Sequence, residues 1–84
     1  MALLSAGRSL ATGQALCNMD QRRFWVSYIA LGGSRSADEL LDYLHDRIQW
    51  PDQEHDVAAH VLNEHCHELG LGIPVPYADE LTPP

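Results

Sequence analysis

The chain predicts a small all-α fold: a three-helix bundle with helix-turn-helix-like spacing, a flexible N-terminal arm and an extended, proline-rich C-terminal tail. Three stretches predict it. "NMDQRRFWVSYIALGG" sets a capping residue before an apolar run and a double glycine after it. "SADELLDYLHDRIQW" opens on a Ser-x-x-Glu capping box and repeats leucine at helical spacing. "PDQEHDVAAHVLNEHCHELG" follows a Trp-Pro break and keeps helical periodicity as far as a closing glycine.

Residues 1–17 are rich in small residues, with Gly7 and Gly13 among them, and read as a flexible arm or a short helix. Residues 18–72 form the three-helix domain, with helices at approximately 19–31, 37–48 and 52–69. The first starts behind Asn18 as N-cap. Its Phe24, Trp25, Val26, Tyr28, Ile29 and Leu31 sweep more of the circumference than two neighbouring helices cover. The second gathers Ala37, Leu40, Leu41, Leu44 and Ile48 on one face, with Asp38, Asp42 and Asp46 opposite. The third carries Asp52 and Glu54 near its N-terminus, where the helix dipole favours negative charge. The short link between these two helices gives the helix-turn-helix spacing, which is equally that of any small bundle. In residues 73–84, prolines alternate with apolar residues. The expected form is an extended segment packing Ile73, Val75 and Tyr77 on the helices.

At 84 residues, a single domain buries roughly 60% of its unfolded surface, which favours a small non-enzymatic module over a deep catalytic cleft. The chain has no Gly-x-Ser-x-Gly, no glycine-rich phosphate loop and no recognisable paired-carboxylate cleft, so no enzyme activity and no cofactor are expected. No apolar run reaches the roughly 18 residues that span a bilayer, and the N-terminus lacks a charged region followed by a continuous apolar one. The expected location is cytoplasmic. There Cys17 and Cys66, too few for a disulfide framework, would be reduced and packed as small apolar residues.

Four of the five histidines fall in residues 54–70. On a helical wheel His65 falls on the apolar face and is the expected core histidine, with His55 and Cys66 at its edge. His60, Glu64 and His67 share a polar side at i, i+4, i+7, an N/O donor set that offers a divalent-metal or pH-sensing site. The solvated-face reading stands beside it, because "HVLNEH" spaces His60 and Glu64 one residue too far apart for a H-x-x-E-H motif.

Charge is uneven. Residues 1–35 hold four arginines and one acid, net +3, and residues 36–84 hold one arginine and eleven acids, net −10. Asp42 and Asp46 repel one another at i, i+4, which suggests an acidic docking surface for a basic protein partner, made by Asp38, Asp42 and Asp46 and continued along the third helix. Trp25 and Ile29, around Val26 on the surplus apolar face of the first helix, are candidate contacts, as is Tyr43 beside Arg47. A homodimer seam and a groove for a partner's helix are the two uses open to that face. Direct nucleic-acid binding is disfavoured, because the N-terminus of the would-be recognition helix reads "PDQEHD". Membrane association is disfavoured by the lack of a basic amphipathic helix. The expected function is a regulatory interaction module.

Overall fold

The computed structural model describes residues 5–72 and 75–81. Five helices follow in order: α1 Ala6–Leu16, α2 Gln21–Ala30, α3 Ala37–Leu44, α4 Asp52–Glu68 and α5 Ala78–Leu81, and the described residues form no strand. The longest, α4, is the spine. It packs against α1, α2 and α5, while α3 rests on α1 and α2. The all-α expectation holds, with two more helices than the three read from the sequence.

The first of these is α1, the helix alternative to a flexible arm over residues 1–17. Ser5 caps it, its hydroxyl accepting from the Arg8 N–H at 3.2 Å. Leu10 is completely buried. The glycines that suggested looseness are points of close approach. A Cβ on Gly7 would lie 1.8 Å from the Tyr43 carbonyl oxygen, and one on Gly13 would lie 2.4 Å from Val75 Cγ2. α1 thus crosses α3 nearly backbone to backbone.

The first four helices end in a shared way, at the expected glycines in two cases and earlier or elsewhere than expected in the other two. α1, α2, α3 and α4 each finish with a left-handed residue: Asn18 (φ 51°), Gly32 (φ 102°), Asp46 (φ 64°) and Gly70 (φ 76°). The next N–H reaches back to a carbonyl of the last turn in every case: Met19 to Gln14, Gly33 to Tyr28, Arg47 to Asp42 and Leu71 to Cys66. This is the Schellman closure. Asn18 therefore ends α1 instead of capping α2, whose N-cap is Asp20, accepting from the Arg23 N–H at 3.1 Å. α3 stops at Leu44 instead of residue 48, which lengthens its link to α4. The capping box of Ser36 and Glu39 is present as expected.

The tail is tied down along α4. The Asn63 side chain donates to the Val75 carbonyl at 3.0 Å and accepts the Val75 N–H at 2.5 Å. Asp56 accepts the Ala78 N–H at 2.8 Å, at the start of α5. Val75 is buried and Tyr77 packs at the edge of the core. The turn of helix in α5 departs from a wholly extended tail, and the expected contact of Ile73 lies outside the described residues.

The two cysteines are bonded to each other. Cys17, the C-cap of α1, and Cys66, in the last turns of α4, form a disulfide with a Cα–Cα distance of 5.5 Å, and both are buried. The expectation of two reduced, independently packed thiols is corrected. It rested on the low cysteine count and a cytoplasmic setting, whereas α1 brings Cys17 onto α4.

Candidate functional site

The interior is organised around aromatic rings from three elements. Trp50 stacks on Tyr43 (centroids 4.5 Å, planes 5° apart) and on Tyr28 (5.2 Å, 25°). Tyr43, expected as a surface contact, is 3% exposed. The buried face of α3 runs through Leu40, Tyr43 and Leu44 and leaves the expected Leu41 exposed, so Tyr43 joins the core, while Arg47 lies beyond the helix end and meets Asp42 at 3.3 Å.

His55, not His65, is the core histidine. It is 1% exposed and both ring nitrogens are engaged: Nε2 with the Pro76 carbonyl at 3.0 Å and Nδ1 with the Tyr43 hydroxyl at 2.8 Å. The carbonyl can only accept, so Nε2 carries the proton, and in the neutral ring Nδ1 accepts from Tyr43. His65 is half-buried at a groove edge. The buried arc of α4 is rotated by about 70° from the one read on the wheel, since α1 and the tail cover the side that the sequence left open. This rotation carries His55 and Cys66 inside.

A concentration of carboxylates lies where α3 passes into α4. Burial, together with the negative charges of Asp52, Asp56 and Asp46, pushes the Tyr43 hydroxyl up to about 12. Asp46 acts from the left-handed turn after α3, and Asp52 and Asp56 from the first turns of α4. Asp38 is exposed in the first turn of α3, and Asp42 is tied to Arg47. The expected stripe of Asp38, Asp42 and Asp46 along one helix face is corrected: Asp46 is off the helix, and its repulsion from Asp42 is relieved by Arg47. The acidic corner draws on Asp52 and Asp56 instead.

Behind this corner, Glu54 is part of a separate network. Its carboxylate accepts from the Tyr28 hydroxyl, from the Ser34 N–H at 3.1 Å and from the Ser34 hydroxyl at 2.6 Å. Desolvation raises its pKa, but these bonds and the Arg35 charge outweigh it and hold the carboxyl below its ordinary value. Burial and the bond to Glu54 push the Tyr28 hydroxyl up to about 12, against donation from the Arg35 and Ser34 N–H groups. Glu54 thus fastens the α2–α3 loop to α4.

On the outer side of α4, His60 Nε2 meets Glu64 at 2.9 Å and His60 Nδ1 lies 3.2 Å from the Tyr77 hydroxyl. His67 is exposed. Among the described residues no three His, Cys, Asp or Glu side chains gather in an arrangement that holds a metal ion. His60 and Glu64 are brought together; their pairing with His67 into a metal centre is not.

The surplus apolar face of α2 is present. Val26 is 50% and Ile29 39% exposed, and Leu31 at the C-cap is 49% exposed. Trp25 is partly buried, with Nε1 donating to the Arg35 carbonyl at 3.0 Å, so its ring belongs to the edge of the core more than to the open surface. Beside this face a groove of about 250 Å³ runs between α2 and α4. Met19, Ala30, Leu31 and Val61 contribute its apolar lining, Arg23 its basic wall and Glu64 and Glu68 its acidic one.

Among the described residues no helix is long and apolar enough to cross a membrane. Compared with protein-family models, curated proteins and solved structures, the chain has no significant match. Fold and surface together define a disulfide-linked, all-α miniature domain with an acidic corner and an open apolar face.

Proposed function

We propose that this protein is a non-enzymatic interaction module that docks a basic protein partner, in a regulatory role. The observation that supports it is the placing of Asp46, Asp52 and Asp56 in the turn after α3 and the first turns of α4, with Asp46 and Asp52 exposed. Among the described residues the one arginine–carboxylate ion pair is Arg47–Asp42, so no arginine ion pair occupies those three acids. Such a surface speeds encounter with a cationic partner and rejects anionic ones. We take the working compartment to be an oxidising one, in place of the expected cytoplasm, because disulfides persist there.

The test is capture of partners from a native extract at low and high salt, comparing the protein with Asp46→Asn/Asp52→Asn. Both side chains are exposed and asparagine tolerates the left-handed turn at position 46, so the variant should fold, which circular dichroism checks. The expected result is a salt-sensitive partner that the variant loses. Equal capture by both proteins at both salt concentrations rejects the proposal.

A further inference from the structure

A second cleft, of about 560 Å³, opens where α4 meets the C-terminal end of α2 and the tail. Gln53, Asp56, Val57 and His60 line it from one face of α4, at i, i+3, i+4 and i+7. Leu31, the C-cap of α2 and 49% exposed, and Tyr77 of the tail complete the lining among the described residues. None of these side chains is buried. The tail side is fixed by its contacts. The Tyr77 N–H donates to Glu80 at 3.1 Å and the Tyr77 hydroxyl lies 3.2 Å from His60 Nδ1. The Ala78 N–H donates to Asp56 at 2.8 Å, which holds that carboxylate in place.

Asp56 is the one carboxylate among the described lining residues, and no arginine joins it. It pairs with no cation among the described residues, whereas His60 meets Glu64. The exposed Asp52 lies one turn earlier on α4. Apolar lining from Leu31, Val57 and the Tyr77 ring thus adjoins unpaired negative charge. An acidic segment would be repelled here, and a basic one without an apolar side chain would leave Leu31 and Val57 in water. The cleft is open to solvent, so a free small molecule would stay wet where ligand sites usually enclose it. A side chain projecting from a larger partner covers it instead. We propose that the cleft receives an aromatic side chain of the basic partner, with a neighbouring lysine or arginine set against Asp56. Aromatic side chains bury the most apolar area and commonly anchor interfaces. This inference rests on the docking function above and names what the partner presents.

Titration of the full chain with three capped tripeptides tests it: acetyl-Lys-Trp-Lys-amide, acetyl-Gln-Trp-Gln-amide and acetyl-Lys-Ala-Lys-amide. By calorimetry the first should bind about tenfold more tightly than either of the others, and by NMR it should shift the amide signals of Val57, His60 and Tyr77. Asp56→Asn keeps an oxygen for the Ala78 N–H. It should weaken the Lys-Trp-Lys peptide about tenfold and leave the Gln-Trp-Gln peptide unchanged. Leu31→Ser should weaken both tryptophan peptides. Should a variant lose its helical circular dichroism, the three peptides on the parent chain decide alone. Equal binding of the three peptides, or equal binding of the Lys-Trp-Lys peptide by the parent and a folded Asp56→Asn, would overturn the proposal. A dimer of the free chain that Leu31→Ser abolishes would overturn it too, by making a second copy the occupant. Partner capture that Asp46→Asn/Asp52→Asn abolishes, with no peptide preference at the cleft, removes this inference and leaves the docking function. Peptide preference with capture unaffected by that variant does the reverse.

Discussion

Glu54 shows how one side chain takes on a role that its position in the sequence hides. In the first turn of a helix it reads as a dipole-matching acid. In the fold it also holds Tyr28 and Ser34. Because its carboxyl is held below the ordinary value, its contribution to stability is complete above the unfolded pKa of about 4.3 and is lost as pH falls through the lowered native value. Glu54→Gln should cost about 1.5 kcal/mol at neutral pH. In urea unfolding, the gap from the parent should narrow in acid. The tyrosines act at the other end of the scale. Tyr28 and Tyr43 are raised to about 12, so their contribution is complete below about 10, the unfolded value, and is lost as pH climbs through the native one. An ultraviolet absorbance titration followed alongside circular dichroism should show these two hydroxyls ionising late.

At the scale of elements, α1 carries the clearest lesson. Gly7 and Gly13 lower its intrinsic helix propensity, yet both sit where another segment touches the backbone. Gly7→Ala should therefore destabilise the fold by about 1–3 kcal/mol through overpacking, although alanine is the better helix former. Thermal melts of the variant and parent measure the sign. Features written in adjacent residues were legible beforehand: the Ser36–Glu39 capping box, the stops at Gly32 and Gly70, and the exposed apolar face of α2. What could not be read depends on distant segments. Asn18 and Asp46 tolerate the left-handed turn and so end helices that periodicity alone would continue or begin. The burial of His55 depends on Tyr43 and Pro76, which engage both its ring nitrogens, and the left-handed turn takes Asp46 off α3.

For the molecule as a whole, the Cys17–Cys66 disulfide has the largest single stake. It closes a loop across a sequence separation of 49, for which the chain-entropy model gives about 4 kcal/mol. Small domains commonly hold about 5–15 kcal/mol in all. Cys17→Ser/Cys66→Ser, or reduction, should lower the urea midpoint by a large fraction of its value while leaving the helical spectrum below the transition intact. An unchanged midpoint would rule out this stabilising role. The charge asymmetry acquires a spatial meaning at this scale too, since α1 from the basic half is bonded to α4 from the acidic half.

The same bond also changes what kind of polymer this is. Between Cys17 and Cys66 the chain is a covalent ring containing α2, α3 and most of α4, with α1 and the tail as two appendages. One backbone cut within the Gly32–Arg35 loop would open the ring without dividing the molecule, and its two pieces would part only on reduction. Continuity of the domain thus rests on two routes, one through peptide bonds and one through sulfur.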